Sequence, residues 1–137
     1  MTDTVRKVDY FYIEAPNKPG EGAKVLSALQ ELGVNLLAFS GFPQGRRAQI
    51  DFVPEDTVKF KAAARKAGLK LSARKTCFLV QGEDRIGAVA EIMGKLSEAG
   101  INVTAIDAVG AGEGRYGAIL WVDPTAVRKA AKVLGAA

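Results

Sequence analysis

Histidine is absent from this 137-residue chain. With it go the commonest general base and the commonest metal ligand, so Ser-His-Asp, Cys-His and histidine-based zinc chemistries are excluded by composition. The single cysteine, Cys77, cannot form an internal disulfide, and its place in an apolar strand reads as a buried hydrophobe rather than a reactive thiol. No charged leader precedes an apolar stretch, and no apolar run approaches the roughly 20 residues of a membrane span, so a cytoplasmic chain with no membrane partner is expected. What is present is ordinary for a globular protein: 48% hydrophobic and 25% charged residues, enough to build a core.

The net charge of +4 is unevenly spread. Lys59, Lys61, Arg65, Lys66, Lys70, Arg74 and Lys75 follow one another with no acidic residue between them, while elsewhere the two signs are mixed. A solvated helix face explains such a run more simply than a nucleic-acid patch, and no nucleic-acid partner is expected.

Sliding the sequence on itself uncovers a repeat. Gly20, Leu29, Glu31, Gly33, Asn35 and Ala38 recur sixty-seven positions later as Gly87, Leu96, Glu98, Gly100, Asn102 and Ala105. Further on, Arg46, Ile50, Phe52 and Val53 match Arg115, Ile119, Trp121 and Val122 at an offset of sixty-nine, which asks for a two-residue insertion near the glycine-rich stretch 110–114. The chain thus divides into a first unit, 1–75, and a second, 76–137.

In the first unit, 8–15 reads as a strand, followed by a helix with an apolar stripe of Val25, Leu26, Leu29 and Leu32 that Gly33 stops. Strands at 35–42 and 47–53 are joined through 41–45. Pro54-Glu55-Asp56 opens a second helix burying Phe60, Ala63, Ala64 and Ala67, and a fourth strand follows at 69–73. The second unit repeats this with a strand at 77–81, a helix carrying Val89, Ile92, Met93 and Leu96, and strands at 102–109 and 117–122. Asp123 caps a last helix that begins at Pro124. No counterpart of the 69–73 strand remains, so the final strand of the second unit is missing: either its sheet has three strands or a strand from elsewhere completes it. The order βαββα(β), twice, predicts an α+β fold of two ferredoxin-like units in tandem, with antiparallel sheets and helices on one face.

The repeat also assigns faces. Ala48, Ile50 and Phe52, with their matches Gly117, Ile119 and Trp121, are expected beneath the helices. The opposite face would then carry Ala118, Leu120, Val53, Val122, Leu79, Tyr10 and Tyr12, an apolar surface that predicts self-association as a homodimer.

The turns between first strand and first helix are the candidate sites. They read Asn17-Lys18-Pro19-Gly20 and Asp84-Arg85-Ile86-Gly87. A glycine at a helix entrance exposes unpaired backbone N–H groups at the positive end of the dipole, which suits a carboxylate. Asn35 and Asn102 follow the glycines that end those helices and are either turn formers or ligand contacts. Gly110-Ala111-Gly112-Glu113-Gly114 opens no helix and reads as a flexible hairpin rather than a phosphate loop.

A strand, a turn with Pro-Gly or its equivalent, a helix ending in Gly33-Val34-Asn35 or Gly100-Ile101-Asn102, and a following strand, all duplicated, resemble a tandem ACT-domain protein. The resemblance spans roughly 6–134, with Ile86 standing where the family has Pro. It implies a non-catalytic regulatory module without cofactor or metal, binding an amino acid or similar small effector at interfaces between units and acting on a partner enzyme. It further implies ligand contacts at Asn17, Lys18, Pro19, Gly20 and Asn35, and at Asp84, Arg85, Ile86, Gly87 and Asn102. Two other readings stay open. One is an assembly module with no small ligand; the other is an RNA-binding ferredoxin-like domain, suggested by Phe78-Leu79-Val80 and Arg115-Tyr116-Gly117-Ala118-Ile119-Leu120-Trp121.

Overall fold

The computed structural model describes residues 3–136. Six strands and four helices follow in the order β1 (Thr4–Pro16), α1 (Glu21–Glu31), β2 (Leu36–Gln44), β3 (Arg47–Pro54), α2 (Thr57–Lys66), β4 (Lys75–Glu83), α3 (Ala88–Glu98), β5 (Val103–Gly112), β6 (Arg115–Val122) and α4 (Val127–Leu134). They form two compact units: Asp9–Lys75, and the described residues up to Val8 together with those from Thr76 onward.

In the first unit the strands lie in the antiparallel order β2-β3-β1. The register sets Phe11 opposite Phe52 and Ile13 opposite Ile50, so one face of the sheet presents a block of large apolar side chains. Leu29 of α1 and Phe60 and Ala63 of α2 close over that block with Phe11, Ile13, Ala15, Ile50 and Phe52, which places both helices on the same face. Phe60 sits 5.4 Å, centroid to centroid, from both Phe11 and Phe52, and burial of each ring contributes about 1.5–3 kcal/mol. Asp56 accepts a hydrogen bond from the Lys59 N–H at 3.1 Å to start α2. Arg65 and Lys66 lie at its negative end, where the dipole favours them.

Two local expectations are corrected here. Residues 69–73 form no strand: they run beside β1, where the Ser72 N–H donates to Tyr12 O at 2.8 Å, but Tyr12 N–H returns its bond to the Ser72 hydroxyl at 3.0 Å instead of to a carbonyl. A side chain that takes the place of a backbone acceptor interrupts the ladder. Residues 41–44 belong to β2 rather than to a loop, and the reversal is a tight turn at Gly45-Arg46. Pro43 is tolerated because β2 is an edge strand, where a missing N–H costs no ladder bond.

The second unit has the order β1-β4-β6-β5. Its fourth strand is the opening of β1: Val5 packs into a core made by Phe78, Val80, Ile92, Leu96, Leu120, Ala130 and Leu134. The sheet is therefore completed by a strand from elsewhere, and the described residues up to Val8 lie with this unit rather than with the first.

The face assignment of β6 is reversed. Phe78 pairs with Leu120 and Val80 with Ala118, and Tyr116, Ala118, Leu120 and Val122 are the residues in contact with α3 and α4. Phe11–Phe52 and Phe78–Leu120 are thus equivalent pairs, and the offset between third strands is sixty-eight, not sixty-nine. A slip of one residue moves every side chain to the opposite face. Gly117, Ile119 and Trp121 consequently leave the helical face. The expected apolar open surface does not exist, because Ala118, Leu120 and Val122 are core and Val53 and Leu79 are themselves buried. The argument for self-association from that surface lapses with it. Asp123 does act as a cap, accepting from Thr125 N–H at 2.9 Å, but the capped element is a 3-10 turn at Pro124–Ala126 that leads into α4.

Candidate functional site

The end of β1 and the start of α1 meet in an exposed turn. Lys18 N–H bonds Pro16 O at 3.0 Å, reversing the chain, and Gly20 then takes a φ of 90°, the left-handed conformation that glycine adopts without strain. Gly20 is the N-cap of α1 and supplies no side-chain cap; Glu21 N–H donates to Lys18 O at 3.5 Å, and the N–H groups that follow it have no side-chain acceptor. A Cβ at Gly20 or at Gly22 would meet nothing within 4 Å. The entrance is open to an incoming acceptor. Asn17, Lys18, Pro19 and Gly20 are all exposed, and the Lys18 ammonium has only a long ion pair, 3.9 Å, with Glu21.

Asn35 lies elsewhere. Pro16 pairs with Arg47 at the hairpin end of the sheet, whereas Leu36 pairs with Pro54 at the opposite end, so β2 separates Asn35 from the turn by roughly 25 Å. There Glu55 N–H donates to Asn35 O at 3.0 Å. A cavity of about 100 Å³ is lined by Gly33, Val34, Asn35, Glu55, Asp56 and Lys59. One unit does not bring the turn and Asn35 together.

The second turn has the same backbone and different chemistry. Gly87 caps α3 with a φ of 84° and again no side-chain cap. Asp84 N–H donates to Gly114 O at 2.9 Å, tying the turn to the β5–β6 reversal, and Ile86 is fully exposed. Arg85 is engaged on every side: it donates to both Asp3 carboxylate oxygens at 3.1 and 3.3 Å, to Glu83 O at 3.0 Å and to Glu91. Arg85 holds the Asp3 carboxyl below the usual carboxylate range, while Asp3 and Glu91 raise the Arg85 guanidinium in turn. Burial, and then the neighbouring Asp3 carboxylate, push the Tyr116 phenol up to about 12. Asn102 is exposed and precedes β5 at the far end, where Val103 pairs with Val122.

Sequence reasoning does not single out Asp3 or Gly82, and it reaches Tyr116 only as part of the RNA-type stretch 115–121. A signal existed for one of them: Gly82 interrupts a strand whose counterpart in the first unit is Ala15, and a glycine inside a strand marks a close approach. Here a Cβ would fall 2.1 Å from Asp3 Oδ1.

Other candidates resolve simply. Lys59, Lys61, Arg65, Lys66, Lys70 and Arg74 are exposed on and after α2, a solvated face. Tyr116 and Trp121, the aromatics of β6, are buried, so that strand offers no platform for stacked bases. Residues 110–114 are a hairpin end with its turn at Glu113-Gly114. Among the described residues no helix is long and apolar enough to cross a membrane.

No protein-family model matches the chain, and no curated protein matches its sequence. Solved structures do match its fold. Protein BT0572 from Bacteroides thetaiotaomicron has a TM-score of 0.81 at 18% identity, covering 96% of this chain and 88% of that one. The ligand-free regulatory subunit of aspartate kinase from Thermus thermophilus gives 0.64 at 17% identity, covering 98% and 95%. Aspartokinase III of E. coli, in complex with aspartate and ADP, gives 0.57 at 14% identity, covering 97% of this chain and 32% of that one. At these identities the likeness is one of fold.

Proposed function

We propose that this chain is a cytoplasmic, non-catalytic regulatory module of the tandem ACT type that binds an amino acid or a similar small effector and acts on a partner enzyme. The observation that carries this reading is the uncapped entrance of α1, where helix N–H groups, a left-handed Gly20 and the exposed Lys18 offer donors to a carboxylate. The fold likeness to a regulatory subunit of aspartate kinase supports it. Because Asn35 lies about 25 Å from that turn within one unit, a small effector touching both must take the turn from one chain and Asn35 from a second copy, which favours a homodimer as the binding form.

The test is thermal melting against the twenty amino acids. An effector at about 100 times its Kd adds roughly 2.7 kcal/mol, a rise on the order of 5 °C for a domain of this size. Gly22→Val should cancel that rise while leaving the unliganded Tm within about 2 °C, since position 22 has ordinary helical backbone with open space around it. Gly20 is unsuitable for this purpose because its positive φ would strain any side chain. A panel without response favours the assembly module, for which the exposed Phe39 and Phe42 on edge strand β2 are the specific support.

A further inference from the structure

Four positions around the second turn differ in kind from their counterparts in the first unit: Gly82 replaces Ala15, Arg85 replaces Lys18, Glu91 replaces Lys24 and Tyr116 replaces Ala48. Three of them surround the Asp3 carboxylate, and Glu91 holds the arginine that grips it. Arg85 grips Asp3 through two N–H groups, the two-point geometry in which a guanidinium outperforms an ammonium. Glu91 and the Glu83 carbonyl fix the guanidinium from behind. Gly82 leaves the space that the Asp3 oxygens fill, and the Tyr116 ring edge borders the same space. Tyr116 is buried, and its hydroxyl completes no well-formed hydrogen bond of its own.

We propose that Arg85 and Tyr116, arranged over Gly82, form a carboxylate receptor in the second unit whose resident ligand is Asp3 of the same chain. The cation of the second turn is thereby self-liganded, and only Lys18 of the first is left for an outside carboxylate. This last consequence rests on the effector reading; the receptor itself does not. Emptied of Asp3, the receptor takes a small carboxylate.

The experiment uses the full chain, the Asp3→Asn variant and sodium acetate as the probe, with sodium chloride at matched ionic strength as the reference. Wild type should melt identically in the two salts. Asp3→Asn should melt lower by on the order of 5 °C, regain about half of that loss in acetate alone, and lose the rescue when Arg85→Lys is added. An acetate response equal to that of wild type, or no rescue in the variant, overturns the proposal. Independently of any variant, NMR of the Arg85 guanidinium in wild type should show hindered rotation, and free rotation overturns the two-point grip. A failed amino-acid panel with a successful acetate rescue would remove the effector reading and keep the receptor; the reverse pair of results would do the opposite.

Discussion

At the entrances to α1 and α3 the backbone is nearly the same and the side chains are not. Gly20 and Gly87 share a left-handed conformation, and neither helix has a side-chain cap. Lys18, however, reaches into solvent, while Arg85 is spent on Asp3, Glu83 and Glu91. A duplicated turn preserves what glycine dictates, namely the direction of the helix N–H groups. Whether the cation beside those groups is free is decided by substitutions a turn or a strand away. The comparison shows why a repeated motif does not by itself count as a repeated site.

The comparison can be broken most forcefully in the cores. Leu29 and Leu96 occupy equivalent positions and are almost wholly buried, so Leu29→Ala and Leu96→Ala should each cost about 2–5 kcal/mol in urea unfolding. A cost under about 1 kcal/mol at one of them would mean that the two helices are not packed alike. A smaller effect separates Gly82 from Ala15. Gly82→Ala drives a methyl group into the Asp3 carboxylate and the Tyr116 ring edge, an overpacking cost of about 1–3 kcal/mol. Most of that cost should vanish in an Asp3→Ala background, because the obstructing carboxylate is gone. Ala15→Gly, the reverse exchange in the first unit, should cost about 1 kcal/mol through backbone entropy, with no dependence on Asp3.

Much of the fold was legible because the helices carry strong periodic stripes and end at left-handed glycines, Gly33, Gly68 and Gly100. The failures have specific causes. Residues 116–122 are apolar on both faces, so alternation could not say whether Ile119 or Leu120 lies beneath the helices, and the repeat was aligned one residue out. The opening of β1 sends a single apolar side chain, Val5, into the second core between polar neighbours, Thr4 and Arg6, and its partner β4 lies some seventy residues away. No local pattern reports such a pairing. At the candidate site both turns were visible through their glycines, but the opposite placement of Asn35 follows from strand direction. The occupancy of Arg85 follows from a residue eighty-two positions earlier.

Acid should act on the two units in opposite senses. In the second, Arg85 lowers the Asp3 pKa relative to the unfolded chain, so the unfolded state binds more protons in that window and stability rises with pH. This contribution is present above the ordinary carboxylate pKa and is lost as pH falls through the depressed folded value. In the first, Asp51 is buried on β3 with a hydrogen bond from Gln49 Nε2 at 2.9 Å, and burial raises its pKa despite that bond. The native state then binds more protons, and the favourable contribution is present below the ordinary value and is lost as pH rises through the raised one. Lowering the pH from neutral should therefore first relieve the first unit and only later weaken the second. Hydrogen exchange, followed residue by residue between pH 3 and 7, reads the two units separately. Protection in β3 should increase over the upper part of that range as pH falls, and protection in β4 should decrease at its lower end. Asp51→Asn, which keeps an acceptor for Gln49 but removes the charge, should flatten the first response and raise stability at neutral pH; Asp3→Asn should flatten the second. If both substitutions altered the same limb of the profile, the opposition between the units would not be electrostatic in origin.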